Sequence, residues 1–119
     1  MREAMKMGAG TLFEVTPSEL AERLRAGTAI AIDVREPAEQ ASGTVVGAQL
    51  VPLSRFDLAA VEALRDGEAL PIFYCRSGGR TMNLATQLLG RGWIEVVHLN
   101  GGLLAWVAEG LPTEPPTAS

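Results

Sequence analysis

One cysteine followed by a glycine-rich turn and two arginines forms the segment of this sequence that is best suited to chemistry. It runs from Cys75 to Thr81, reads Cys-Arg-Ser-Gly-Gly-Arg-Thr and follows the apolar residues Pro71–Tyr74. A thiolate is a nucleophile, and its pKa falls to about 3.5–7.5 beside cations or a helix N-terminus. Free N–H groups at a helix N-terminus also bind small anions. The segment therefore predicts a reactive Cys75 thiolate that faces an anionic substrate.

The turn after Cys75 contains the groups that such a site needs. Gly78 and Gly79 allow consecutive backbone N–H groups to point inward, because neither carries a Cβ atom. Arg76 and Arg80 add positive charge and fork-shaped hydrogen-bond donors. A lone cysteine is more often a small buried apolar residue than a nucleophile. The two arginines favour the nucleophile here, because a structural cysteine does not need cations on either side.

Strand-like and helix-like segments alternate along the chain, which favours an α/β sheet with helices on both faces. Thr16, Pro17 and Glu19 have the pattern of a capping box at a helix start, and we expect Ser77 or Thr81 to cap the helix after the cysteine. The site of an open α/β sheet lies at the carboxyl ends of its strands, where Cys75 falls. The predicted strands are residues 11–15, 29–34, 49–52, 70–74 and 94–99, and the predicted helices are 16–27, 54–64, 82–89 and 103–109.

Three segments, in the right order, resemble motifs of the rhodanese sulfurtransferases. The segment from Cys75 to Thr81 resembles their active-site loop, and Asp33–Glu39 resembles their Asp-x-Arg segment. Leu99–Trp106, followed by Gly-Leu-Pro at 110–112, resembles their closing Gly-Gly-x-x-Ala-Trp helix. The likeness runs from about residue 15 to residue 112. It implies a three-layer α/β fold with a central, mostly parallel five-stranded sheet and helices on both faces.

The resemblance also implies a reaction and a set of site residues. A small anionic sulfur donor, thiosulfate or a persulfide, would pass its outer sulfur to Cys75, and a thiol or protein acceptor, or cyanide in vitro, would remove it. Asp33 and Arg35 would support the active-site region, and no metal or other cofactor is expected. The residues expected to bind the donor are Arg76, Ser77, Gly78, Gly79, Arg80 and Thr81.

Other functions remain open on the sequence alone. One alternative is a sulfur-relay carrier for a specific acceptor protein, and another is a rhodanese-like binding module without catalysis. A phosphatase is the weaker interpretation. Related phosphatases place five residues between cysteine and arginine, whereas four lie between Cys75 and Arg80, and they usually carry histidine at the position of Tyr74.

Several polar residues have more than one interpretation. Asp33 is either a catalytic base or, as in most buried strand ends, a structural partner of backbone N–H groups or an arginine. Arg80 either meets the substrate or closes the loop by holding backbone carbonyl groups. His98, the only histidine, either lines the pocket mouth as a proton carrier or has no role in the site. Glu36 and Glu39 are interpreted as solvated surface residues.

One segment departs from the family pattern. Gln40, Thr44 and Val46 stand where the family usually has an aromatic residue, a histidine and a proline. We expect the fold to survive, because this segment is distant from Cys75 in sequence. The wall of the site, and with it the choice of substrate, is where a change is expected.

Composition limits the remaining possibilities. The chain has 119 residues and one cysteine, so it has no internal disulfide. Its net charge is −4, so the positive charge of the two arginines in the turn is a local feature of an acidic protein. An acidic protein of this kind is not expected to bind nucleic acid. No apolar stretch reaches the ~20 residues of a membrane span. We expect a cytoplasmic monomer or weak homodimer, with a flexible extension over residues 1–10, one domain over 11–112 and a mobile proline-rich tail over 113–119.

Overall fold

The central sheet of the computed structural model, which describes residues 1–116, places Cys75 at the carboxyl end of an inner strand. The strands are β1 Arg2–Met7, β2 Gly10–Val15, β3 Ala29–Asp33, β4 Thr44–Val45, β5 Gln49–Leu50, β6 Leu70–Tyr74, β7 Glu95–Leu99 and β8 Thr113–Glu114. The helices are α1 Pro17–Ala26, α2 Pro37–Gln40, α3 Leu58–Arg65, α4 Gly79–Gly90 and α5 Gly102–Ala108, with a 3-10 turn at Leu53–Arg55.

The main sheet has the strand order β1-β2-β7-β6-β3-β5. Only β1 runs antiparallel to its neighbour. The mostly parallel sheet with helices around it is confirmed, but it has six strands, not five. The additional strand β1 lies within residues 1–10, which the sequence predicted as a flexible extension. It pairs with residues 10–14 of β2 and so gains backbone hydrogen bonds.

The chain beyond the predicted domain limit also contains a strand. Thr113 and Glu114 form β8, which pairs with β4 in a separate two-stranded sheet. The sequence predicted these two residues as the start of a mobile tail over 113–119, whereas the structure gives them strand pairing. Residues 117–119 lie outside the described part of the chain. The predicted limits at residues 11 and 112 thus leave out two strands of the structure.

Alternating side chains divide the core between the two faces of the sheet. On one face, α3 and α4 cover a cluster that includes Ile32, Phe73 and Cys75. On the other face, α1 and α5 cover a cluster that includes Ile72 and Tyr74. Adjacent residues of β6 therefore face opposite layers, and the thiol lies in the layer of α4.

A helix begins as predicted where the sequence has a single candidate for its capping residue. Thr16 and Glu19 form the predicted capping box of α1, with hydrogen bonds of 3.1 and 2.9 Å. The predicted helix over 54–64 begins later than expected, at Leu58, because Asp57 caps it by accepting a hydrogen bond from the Ala60 amide at 3.0 Å. Ser54 lies in the preceding 3-10 turn instead.

The N-terminus of α5 is held against the chain that follows β6. The Leu103 amide donates to the carbonyl oxygen of Cys75 at 2.9 Å, and the Leu104 amide donates to that of Arg76 at 3.0 Å. Gly102 has a φ of +59°, and a Cβ atom there would lie 2.6 Å from both carbonyl oxygens. Glycine is therefore required at this position by both the backbone conformation and the close approach.

We expect Gly102→Ala to lower the free energy of unfolding by about 2 kcal/mol or more, because of the left-handed backbone and the steric clash. Urea denaturation of the two proteins measures the change. Gly79→Ala is the matched control. Gly79 lies in the first turn of α4 without a left-handed φ, and a Cβ atom there meets nothing within 4 Å. Equal destabilisation by both substitutions would contradict this account.

Candidate active site

The thiol of Cys75 lies beneath a loop at the carboxyl end of β6, directly before α4. Cys75 is only 1% exposed to solvent. The Gly78 amide donates a hydrogen bond to Sγ at 3.1 Å, and the Thr81 hydroxyl lies 3.7 Å from Sγ. The sulfur is thus surrounded by hydrogen-bond donors but is scarcely open to solvent.

These donors determine the acidity of the thiol. Burial raises the pKa of Cys75, but hydrogen bonds from the Thr81 and Gly78 amides, the Thr81 hydroxyl and the Ser77 amide lower it more. The net result is a pKa below the ordinary value for cysteine. A larger fraction of Cys75 is therefore thiolate at neutral pH than in an unstructured chain.

The loop requires a glycine at one of its two adjacent glycine positions. Gly78 has a φ of +114° and is the N-cap of α4. The helix therefore begins at Gly79, three residues before the predicted start, and neither Ser77 nor Thr81 is its cap. Gly79 has no left-handed φ. Of the two glycines expected to allow the amides to turn inward, only Gly78 has a left-handed φ.

Arg80 is held by a carboxylate. Its Nη1 and Nη2 atoms lie 2.7 and 2.8 Å from the two carboxylate oxygens of Glu39. The hydrogen bonds from Arg80 lower the pKa of Glu39 to about 2. The interpretation of Glu39 as a solvated surface residue is therefore wrong. The loop-closing alternative for Arg80 named backbone carbonyl groups, whereas its hydrogen-bond partner among residues 1–116 is the Glu39 side chain. Contact between Arg80 and the substrate stays a prediction.

Arg76 differs from Arg80 in its surroundings. Its side chain is exposed and makes no ion pair or hydrogen bond with any side chain or backbone group in residues 1–116. Its carbonyl oxygen is fixed by α5, so the position of the residue is set by the backbone. Within the described chain, Arg76 is the loop cation that is free to meet an anion.

Asp33 and Arg35 form a buried ion pair on the other face of the sheet. Arg35 Nη2 lies 2.7 Å from Asp33 Oδ2, and the Tyr74 hydroxyl donates to the same oxygen at 2.6 Å. Burial, followed by the Asp33 carboxylate, raises the pKa of Tyr74 well above its ordinary value. Since Tyr74 and Cys75 face opposite layers, Asp33 is placed as a structural partner and not as a base beside the thiol.

The Asp33–Arg35 ion pair is connected to the loop after Cys75 through Glu39. Arg35 Nη1 lies 3.4 Å from the carbonyl oxygen of Glu39, whose carboxylate holds Arg80. The departure from the family pattern adds to the same network, because Gln40 Nε2 donates to the Asp33 carbonyl oxygen at 3.1 Å. The network therefore positions α2 and, through Glu39, the end of the loop.

The other two departures lie away from the thiol. Thr44 is buried in β4 opposite Glu114. Val46 is 44% exposed and lines a cavity of about 340 Å³ together with Trp106. The fold survives these changes, as predicted, and among residues 1–116 neither side chain forms a hydrogen bond with the loop after Cys75.

His98 is closer to the site than its position in sequence suggested. His98 is only 2% exposed to solvent, and its Nδ1 lies 2.7 Å from the Thr81 hydroxyl oxygen. Glu14, which sequence reasoning did not consider, lies opposite His98 in the parallel register of β2 and β7. One feature of the sequence could have indicated this pair: each of the two apolar strands has a polar residue in its penultimate position.

One large cavity of the described chain is not part of this site. It has a volume of about 630 Å³ and lies at the amino ends of β6 and β7, between residues such as Arg23, Arg65 and Trp93. None of residues 75–81 lines it. Within residues 1–116, no cluster of His, Cys, Asp or Glu side chains is arranged to hold a metal ion. The helices in this part of the chain are all too short or too polar to span a bilayer.

The ion pair between Glu39 and Arg80 predicts a pH dependence of stability. Folding lowers the pKa of Glu39 from 4.5 to about 2, so the contribution is complete above about pH 4.5 and is lost as the pH falls toward 2. We expect the stability difference between wild type and Glu39→Gln, measured by urea denaturation, to shrink across that range. Glu22→Gln removes an exposed carboxylate of α1 and is the control. A difference that does not depend on pH would contradict this assignment.

Comparisons with known proteins place this chain in a family. The family model for the Rhodanese-like domain matches residues 16–109. A protein named Sulfurtransferase from Allochromatium vinosum is 32% identical over 104 residues, which cover 87% of this chain and 95% of that protein. The thiosulfate sulfurtransferase GlpE of Pseudomonas fluorescens is 31% identical over 94 residues, which cover 79% of this chain and 84% of that protein.

A solved structure shows the same architecture. The rhodanese-like domain of the Alr3790 protein from Anabaena sp. is 26% identical and superimposes with a TM-score of 0.70, covering 95% of this chain and 88% of that one. The resemblance drawn from the three sequence motifs is confirmed by these matches. The chain belongs to the family of rhodanese-like domains, and the two relatives described above are named sulfurtransferases.

Proposed function

We propose that this protein moves a sulfane sulfur from thiosulfate or another persulfide donor to a thiophilic acceptor, through a persulfide on Cys75. The observation that carries the proposal is the thiol itself. Its Sγ lies at the end of β6, 3.1 Å from the Gly78 amide, with a lowered pKa and a free cation, Arg76, on the loop above it.

The first half-reaction loads the sulfur. The Cys75 thiolate attacks the outer sulfur of thiosulfate, a new S–S bond forms, and the original S–S bond breaks. Sulfite leaves with the electron pair of that bond, and Cys75 carries a persulfide anion. Arg76 attracts the donor, while the amides of Ser77, Gly78 and Thr81 stabilise negative charge at the sulfur.

The second half-reaction unloads the sulfur. An acceptor nucleophile attacks the outer sulfur of the persulfide, the S–S bond breaks, and the Cys75 thiolate is restored. The chain has no second cysteine, so the acceptor is another molecule. A free thiol of this kind fits a reducing compartment such as the cytoplasm. The monomer or weak homodimer expected from sequence stays a prediction.

The remaining site residues have supporting roles in this proposal. Arg80 fixes the end of the loop through its paired contact with Glu39. Gly78 provides the left-handed turn that directs its own amide at the sulfur. Asp33 and Arg35 hold the segment that contains Glu39. These positioning roles are structural, whereas Cys75, Arg76 and the loop amides act on the reactants.

A protein acceptor is favoured over a small thiol by one further observation. Leu104 and Val107 lie on one face of α5, and their side chains are 50% and 55% exposed. The Leu104 amide binds the Arg76 carbonyl, which places the start of α5 beside the loop. Exposed apolar residues next to a transfer site suit the docking of a second protein. A sulfur-relay carrier is therefore the second candidate function.

The covalent step has a direct test. We expect the intact mass of the protein to increase by one sulfur atom after incubation with thiosulfate and to return to its original value after cyanide is added. Cys75→Ser should show neither change, because serine cannot form the persulfide. Absence of the mass increase in the wild type with several sulfur donors would contradict sulfur transfer through Cys75.

The role of Arg76 has a kinetic test. We expect Arg76→Ala to raise the KM for thiosulfate about tenfold while kcat changes little, because an exposed cation that binds the donor contributes equally before and during reaction. Arg91→Ala removes an exposed arginine at the other end of α4 and is the matched control. An equal effect of both substitutions would show that only the general charge of the protein matters.

A further inference from the structure

His98 is a buried titratable residue to which the proposed reaction assigns no role. Its Nδ1 lies 2.7 Å from Thr81 Oγ1, and that oxygen lies 3.7 Å from the sulfur of Cys75. The imidazole is thus connected to the nucleophile by a single hydroxyl group. β6 and β7 are neighbours in the sheet, which keeps this arrangement within its rigid part.

The Thr81 hydroxyl has one proton and three neighbours that can accept it. They are the Gly78 carbonyl oxygen at 3.1 Å, the Cys75 sulfur and His98 Nδ1. An imidazole nitrogen with a lone pair accepts the proton, whereas a protonated nitrogen donates to the hydroxyl oxygen. The proton on Nδ1 therefore decides whether Thr81 is free to donate to a Cys75 thiolate.

The other ring nitrogen of His98 faces a carboxylate. Nε2 lies 3.4 Å from Glu14 Oε2, but the contact lacks hydrogen-bond geometry and leaves this buried nitrogen without a hydrogen bond. A neutral ring protonated on Nδ1 would turn its Nε2 lone pair toward that negative charge. The neutral form that suits Glu14 is therefore protonated on Nε2, and its Nδ1 takes the Thr81 proton.

Only the doubly protonated imidazole has an N–H group toward Glu14 and another toward Thr81. The proton of the Thr81 hydroxyl is then available to the thiolate. The charged groups around the ring are Glu14 on β2, Arg2 on β1, which binds Glu14 at 3.1 Å, and Cys75 beyond α4 residue Thr81. Burial holds the pKa of His98 below its ordinary value, and Glu14 opposes this effect only in part.

We propose that His98 is a positioning residue for the nucleophile, whose protonation through the Thr81 hydroxyl determines whether the Cys75 thiolate receives a side-chain hydrogen bond. The two residues then titrate as a coupled pair, and each favours the charged form of the other. The proposal deepens the proposed function, since it takes Cys75 as the nucleophile. It includes no covalent step.

The composition of the chain makes the coupling measurable, because it has one histidine and one cysteine. The ring protons of His98, followed by NMR against pH, report its titration without overlap. We expect the proton affinity of His98 to be about tenfold higher in the wild type than in Cys75→Ser, which lacks the thiolate. An imidazole that titrates identically in both proteins, or that stays neutral throughout, would overturn the proposal.

Two variants of Thr81 separate the hydroxyl connection from attraction through space. Thr81→Val has nearly the same shape but no hydroxyl, and we expect the replacement of Cys75 to change the titration of His98 much less in this background. Thr81→Ser retains the hydroxyl and should retain the coupling. If Thr81→Val preserves the full effect, the connection through Thr81 is wrong.

The reciprocal measurement uses the ultraviolet absorbance of the thiolate. Linkage requires His98 to change the titration of Cys75 by the same factor that Cys75 changes that of His98. We expect a two-step thiolate titration in the wild type and a single step in His98→Asn, whose side chain does not titrate. A single step in both would contradict the proposal. Neither readout involves sulfur transfer, so failure of the mass test would leave these results unaffected, and the reverse also holds.

Discussion

The structure depends on the direction in which the peptide groups after β6 are held. The first amides of α5 bind the carbonyl oxygens of Cys75 and Arg76. A trans peptide whose carbonyl points toward α5 must point its N–H group the other way. The N–H group that shares a peptide with the Arg76 carbonyl is that of Ser77, one of the amides that lower the pKa of Cys75. The same two hydrogen bonds therefore satisfy the free end of one helix and leave the loop amides available for a buried negative charge.

The two faces of the sheet divide the work of supporting this loop. On the face of α1 and α5, the buried Asp33–Arg35 pair fixes the segment whose Glu39 holds Arg80. On the face of α4, Thr81 and His98 approach the sulfur directly. A buried ion pair is costly unless every donor has a partner. Here those partners also determine the position of the loop, so the polar network contributes to the site as well as to the fold.

The sequence predicted those features that local rules determine. β6 was predicted over its full range, and the capping box at Thr16 was correct. Prediction was wrong where two nearby residues, Ser54 and Asp57, could each cap the same helix. It was also wrong where a residue's structure depends on a partner that is distant in sequence. The polar segment that forms β1 has a strand only because β2 offers it an edge. The pairs Glu39–Arg80 and Thr81–His98 arise from packing between separate elements, which no local pattern reports.

The docking of α5 has a consequence for the order in which the site comes into being. The nucleophile lies at residue 75, but the amides that orient its loop belong to residues 103 and 104. During synthesis the chain emerges from its N-terminus, so the cysteine leaves the ribosome before the helix that completes its surroundings. Until that helix docks, the carbonyl groups of Cys75 and Arg76 lack these two hydrogen-bond donors. The final geometry of the loop is thus among the last features that the growing polypeptide acquires.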